Sequence, residues 1–192
     1  MTPGLSSPAA ADLAQRRERA LSTGVWVLLV VVTSLFGLFL VAYVMRLASP
    51  DATPIALPAQ LWVSTAWLAA SGVLLDLAAR WSSRRLLTAG GLSGVAFVAA
   101  QCWAWQVLQS ANVVLGGNPA ASFFYLLSGL HALHAIGGLV AWLQVSGGPP
   151  GDRRVALCAR YWHFLFVVWL ALFAAFRWVT PDVARAICGV TP

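Results

Sequence analysis

LLTAGGLSGVAFVAAQCWAWQVLQSANVVLGGNPAASFFYLLSGLHALHAIGGLVAWLQVSGGPPG, residues 86–151, carries not one charged side chain. A helix rising about 1.5 Å per residue needs about 20 apolar residues to cross a hydrocarbon core of about 30 Å. The run is too long for one crossing, and Asn112-Val-Val-Leu-Gly-Gly-Asn-Pro119 in its middle is rich in turn formers. It therefore reads as two helices, 87–110 and 121–145, joined by that turn. Working outward, Ala20 to Met45 is also free of charge and supplies a first span over 24–46. The uncharged stretch Ala52 to Leu75 supplies a second over 59–79, because Pro54 and Pro58 delay its helix to Ala59. Downstream, Ser146-Gly-Gly-Pro-Pro-Gly151 breaks the chain ahead of Arg153 and Arg154, and a last span covers 161–179 with Arg177 snorkelling to the interface. The expected fold is all-α: a polytopic bundle of five transmembrane helices within 22–180, an N-terminal segment 1–21 and a C-terminal tail 181–192 left unassigned.

Composition agrees. Of 192 residues, 60% are apolar and 9% charged, with mean hydropathy +0.79. A soluble domain carries about 25% charged residues to cover its surface, so an ordinary soluble enzyme is excluded. The 12 basic residues are all arginines, against 6 acids, for a net charge of +6. No basic stripe interleaves with aromatics as nucleic-acid binding requires. The arginines sit at the ends of apolar runs instead. Arg16, Arg17 and Arg19 precede the first helix, Arg80, Arg84 and Arg85 join the second to the third, and Arg153, Arg154 and Arg160 join the fourth to the fifth. Five spans place all of these on one side and only Arg46, Arg177 and Arg185 on the other. The positive-inside rule then puts the N-terminus in the cytoplasm. No small-residue cleavage site follows the first apolar run, so a cleaved leader is not expected.

Few residues carry chemistry. Cys102, Cys158 and Cys188 lack metal-type spacing, and Cys102, inside an apolar run, reads as a small buried hydrophobe. His131 and His134 lie three apart on one face of the fourth helix, with Ala135 and Gly138; Leu126, Leu133, Ile136 and Val140 lie opposite. Small and polar residues on one side and large aliphatics on the other describe a helix packed on protein with lipid behind. His163 opens the fifth helix. Imidazoles inside a membrane invite metal or haem ligation, most simply by His131 and His163 on facing helices, but five helices leave little spare volume. Interhelical packing or lipid contact is the preferred reading. Asp76 and Arg80 form an i,i+4 pair at a helix end, Gln101 and Trp105 mark one face of the third helix, and Thr33 and Ser34 read as small packing residues. No nucleophile–base pair, carboxylate pair or phosphate loop is visible.

Two helices carry a resemblance. Phe123-Phe-Tyr-Leu-Leu-Ser-Gly-Leu-His131-Ala-Leu-His134-Ala-Ile-Gly-Gly138 and Tyr161-Trp-His-Phe-Leu-Phe-Val-Val-Trp-Leu170 resemble paired signatures of subunit III of the haem–copper oxidases, the cytochrome c oxidase subunit III family. Gly94, Phe97, Gln101 and Trp105, then Leu61-Trp-Val-Ser-Thr-Ala-Trp-Leu68, then Gly37, Ala42, Tyr43 and Arg46 match its preceding helices, so that residues 22–180 resemble the five-helix bacterial form. The resemblance implies a non-catalytic subunit beside oxidase subunits I and II, with haem and copper in those partners, none in this chain, and phospholipid bound. It implies that His131, His134, His163, Gln101, Trp105, Trp162 and Arg160 are structural or lipid-contact residues. The family's three buried carboxylates are replaced here by Val31, Ala104 and Phe166, which favours scaffolding over proton handling. The expected role is subunit III of a bacterial respiratory terminal oxidase, fed by cytochrome c or quinol, in the inner membrane. The alternatives are a subunit-III-like accessory of nitric oxide reductase, a bis-histidine membrane cytochrome and, last, a small transporter.

Overall fold

A computed structural model describes residues 8–116, 118–151 and 153–189, apart from the side chains of 8–11, 13–15, 17, 18 and 21. Residues 1–7 and 190–192, parts of the N-terminal segment and the tail, and the Arg17 side chain lie outside the described residues. The chain forms α1 (Pro8–Leu47), α2 (Gln60–Trp81), α3 (Arg84–Ser110), α4 (Pro119–Ser146), α5 (Arg153–Trp178) and the short α6 (Pro181–Cys188), with no strand among the described residues. Five helices are long and apolar enough to cross a membrane: Ser22–Leu47 of α1 and the whole of α2, α3, α4 and α5.

Local chemistry sets the ends. Ser82 is left-handed (φ 49°) and Ser83 extended, so α2 reverses into α3 through two residues. Asn118 caps α4 by accepting from the Ala120 amide at 2.9 Å, with Pro119 at the first helical position, where a missing N–H costs nothing. Thr180 and Pro181 start α6 in the same way. Two long ties pair the loops at opposite ends of the bundle. Arg84 donates to Ser146 O (2.7 Å) and Gly148 O (2.9 Å), satisfying carbonyls at the end of α4. At the other end Asn118 Nδ2 donates to Thr53 O at 2.7 Å.

Side chains too large to pass one another are matched with glycines. The Trp142 indole lies over Gly91 and donates to Leu87 O at 2.9 Å; the Trp162 ring lies against Gly94 and Gly138. Ser71 donates to Gly90 O at 2.7 Å where Leu75 rests on Gly90, bringing α2 and α3 close. Lipid tails are as apolar as the core, so this close fit, rather than water exclusion, holds membrane helices together. α5 supplies the centre with Trp162, Leu165, Trp169 and Leu172, all fully buried. α2 runs against it in antiparallel register: Trp62 meets Phe173 edge-on at 4.8 Å, the Trp169 indole donates to Thr65 Oγ1 at 2.8 Å, and Gly72 meets His163. α1 lies outermost, burying Val32, Phe36, Tyr43 and Leu47 while Val30, Val31, Leu38 and Met45 stay exposed.

Two helices run beyond their expected spans, and one expectation, burial of Cys102, is corrected. α5 begins at Arg153, not Tyr161, because Val155, Cys158 and Ala159 bury one face while the arginines take the other. Apolar runs mark the part of a helix that needs hydrocarbon, and the helix itself continues past it. For the same reason α1 extends back to Pro8 through the N-terminal segment. Cys102 is exposed on the outer side of α3, beside buried Gln101.

Candidate functional site

The fourth helix divides as its sequence pattern implies except at His134, which is half-buried and turns to the side. His131, Ala135 and Gly138 face inward, whereas Leu126, Leu133, Ile136 and Val140 are exposed. His131 is fully enclosed by aromatics: its ring stacks on Trp169 (centroids 5.2 Å, planes 29° apart) and meets the edges of Phe97 at 5.7 Å and Phe36 at 6.2 Å. Neither ring nitrogen has a hydrogen-bond partner among the described residues. One turn along α3 from Phe97, Gln101 is also fully buried with both amide atoms unpartnered, as is Nε1 of buried Trp162. Trp105 fares better, donating to Ser128 Oγ at 3.1 Å, and Ser128 in turn donates to Phe124 O at 2.6 Å. α3, α4 and α5 thus each carry buried polar groups in the interior of the bundle.

His134 belongs to a different place. Its Nδ1 lies 2.7 Å from Leu130 O, which calls for the Nδ1–H tautomer and leaves Nε2 an acceptor. The Tyr161 hydroxyl donates to His134 O at 3.1 Å, pinning α5 to α4. Both residues line a groove of about 560 Å³ between α1, α4 and α5, walled by Val25, Leu28 and Leu157 and reaching Gln144 and Arg154. From His134 to Gln144 the helix rises about 15 Å, the depth of one lipid leaflet's hydrocarbon.

A third locus is the outer edge of α2 and α5. His163 is exposed and rests on Gly72, Arg160 is exposed one turn earlier, and Asp76 pairs with Arg80 at 2.8 Å. His131 and His163 are not brought together. One lies beside Trp169, and the other stands about 9 Å back along α5 and points to Gly72, which leaves no shared axial position for a haem. No group of three His, Cys, Asp or Glu side chains converges among the described residues. Among the described residues Thr33 and Ser34 bond only back to Leu29 O and Val30 O of their own helix. Val31 is exposed, Phe166 half-buried and Ala104 fully buried.

Sequence reasoning missed the aromatic shell of Phe36, Phe97 and Trp169, and the Tyr161 tether. Glycines at 91 and 94 on α3 were the available sign that large rings come in from neighbouring helices.

Fold and site together define a multi-pass helical membrane protein with several polar side chains, among them Gln101 and His131, held inside its packing. No protein-family model matches the chain. Among curated proteins, the probable cytochrome c oxidase subunit 3 of Nocardia farcinica is 35% identical over 95 residues, 46% of this chain and 47% of the relative. That of Mycobacterium tuberculosis is 32% identical with the same coverage, and the cytochrome c oxidase subunit 3 of Synechocystis sp. is 36% identical over 88 residues, 42% and 36% of the two chains. The chain therefore has homologues named cytochrome c oxidase subunit 3 in several bacteria, and the matches span about half the length of those relatives or less.

Proposed function

We propose that this chain is a non-catalytic subunit III of a bacterial respiratory haem–copper terminal oxidase, packed beside the oxidase core in the inner membrane with its N-terminus in the cytoplasm. The observation that carries this reading is the similarity to subunit 3 proteins at 32–36% identity, in a chain with five apolar helices. The placement of the histidines supports a structural part. His131 is locked among aromatic rings, His134 is bonded to its own helix and His163 faces outward, so none joins a ligand set. Haem and copper belong, in this reading, to partner subunits I and II, which receive electrons from cytochrome c or quinol.

The groove between α1, α4 and α5 is the seat proposed for a phospholipid. Its apolar walls match an acyl chain, and Gln144 and Arg154 stand where a headgroup phosphate would lie. The arginine distribution supports the orientation: the start of α3 and the end of α4 are tied together through Arg84 on the Arg-rich side. A second reading, an accessory of nitric oxide reductase, is favoured by one observation. Val31, Ala104 and Phe166 stand where the resemblance places acids, and Ala104 is fully buried.

Mild-detergent purification of the tagged chain from native membranes, with an absorbance spectrum and mass spectrometry of co-purifying chains, tests the proposal. Oxidase subunits I and II with haem absorbance are expected. Nitric oxide reductase subunits would move the chain to the second reading, and a lone colourless chain would overturn both.

A further inference from the structure

We propose that α6 is an interfacial anchor: it lies in the headgroup layer of the leaflet opposite the Arg-rich side and turns Val183 and Ile187 into the lipid. The inference goes beyond the oxidase reading and needs only the five membrane-crossing helices. Exposed indoles fix the depth. Trp62 and Trp81 are both exposed and lie nineteen residues apart on α2, about 28 Å, close to the thickness of the hydrocarbon. Tryptophan gathers at such boundaries because its ring is apolar and its N–H prefers water. Trp62 meets Phe173 edge-on, and exposed Trp178 stands about 7 Å further along α5. Phe176 meets Tyr43 at 5.5 Å, so α1 ends level with α5. Val179 and Thr180 alone separate Trp178 from Pro181, and α6 then packs on α1 instead of running out into water.

The side chains of α6 sort for that position. At about 100° per residue, Val183, Ile187, Ala184 and Pro181 form one continuous apolar arc, with Asp182 and Arg185 on the other side. Half of the arc is covered by protein: Pro181 and Ala184 are buried, with α6 packed on α1. The other half is not, and Val183 and Ile187 stay exposed. The polar side is paired within itself, Arg185 donating to Asp182 at 2.6 Å. Nearby Arg177, exposed and in no ion pair among the described residues, can reach a lipid phosphate on its long stem. A helix with one apolar and one charged side at this depth lies in the plane of the interface, its apolar residues among the upper acyl carbons. Lipid is the occupant because the spans that bring hydrocarbon against exposed Leu38 and Met45 of α1 bring it up to α6 as well. The anchor thereby clamps the end of α1, the outermost helix, at buried Tyr43 and Leu47.

The test uses the full-length chain, with whatever subunits purify alongside it, in vesicles of phosphatidylethanolamine and phosphatidylglycerol. In a Cys102→Ala, Cys158→Ala, Cys188→Ala background, a nitroxide spin label is attached through Asp182→Cys, Val183→Cys or Ile187→Cys, or through Leu38→Cys as a hydrocarbon reference; all four sites are exposed. Oxygen concentrates in lipid and a nickel chelate stays in water, so the ratio of their collision rates with the label reports depth. Val183→Cys and Ile187→Cys should give an oxygen-to-nickel ratio about threefold or more above that of Asp182→Cys and below that of Leu38→Cys. Nickel-rich, equal ratios at all three α6 sites would place the helix in water and overturn the anchor. Labels at 183 and 187 shielded from both reagents would show that protein, a partner or a second copy of this chain, covers the face, and would overturn lipid as its occupant. Either failure leaves the oxidase reading intact, since the co-purifying chains decide that separately.

Discussion

Replacing Gly91 with alanine probes the contact on which α3 and α4 depend. A methyl there falls inside the Trp142 indole, and that ring is held by its bond to Leu87 O at 2.9 Å. Overpacking costs about 1–3 kcal/mol, moving the indole forfeits a hydrogen bond worth about 1 kcal/mol, and alanine returns about 1 kcal/mol of helix propensity. The net expected loss is roughly 1–3 kcal/mol. Gly129→Ala, on α4 with open space around its Cβ position, is the internal control and should be neutral or slightly stabilising. Thermal and denaturant unfolding of the purified protein in a mild detergent reads both. Combining Gly91→Ala with Trp142→Phe should restore part of the loss, since the smaller ring leaves space. The reasoning is refuted if Gly91→Ala unfolds like the parent, or if Gly129→Ala is as damaging.

Gln101→Met should leave stability unchanged or raise it by up to about 1–3 kcal/mol, because it removes two buried unpaired groups at similar volume; clear destabilisation in the same assay would show that the amide has partners. Thr65→Val should cost about 1–2 kcal/mol by leaving the Trp169 indole N–H unpaired between α5 and α2, with red-edge-excited tryptophan fluorescence reporting the freed ring. Asp51, held below the usual carboxylate range first by its hydrogen bond from Arg46, should keep that pairing at neutral pH and lose it only as pH falls through the lowered pKa. Carboxyl carbon shifts against pH, in low and high salt, check this. An ordinary midpoint would show the pair to be absent.

Membrane residence and span count were legible in residue order because they rest on one-dimensional quantities. Uninterrupted apolar length decides whether a helix suits hydrocarbon, proline and glycine clusters decide where it stops, and arginines mark the ends. The inward face of α4 could also be read, since a period of about 3.6 residues places His131, Ala135 and Gly138 together. Where polarity and helix part company, linear reading failed. The first two turns of α5 are helical although arginine-rich, and Cys102, apolar by neighbourhood, faces outward because burial follows helix rotation rather than local composition.

Tertiary structure alone decided what the three histidines do, because each fate depends on residues distant in the chain. Trp169, Phe97 and Phe36, from three different helices, make His131 a packed ring. Tyr161 ties the backbone at His134 beside the α1 groove, and Gly72 supports His163 at an exposed edge. The sequence shows that these imidazoles lie in a membrane. Only helix rotation and register, settled by which large ring fits over which glycine, determine which of them is sealed, which lines a groove and which stands exposed.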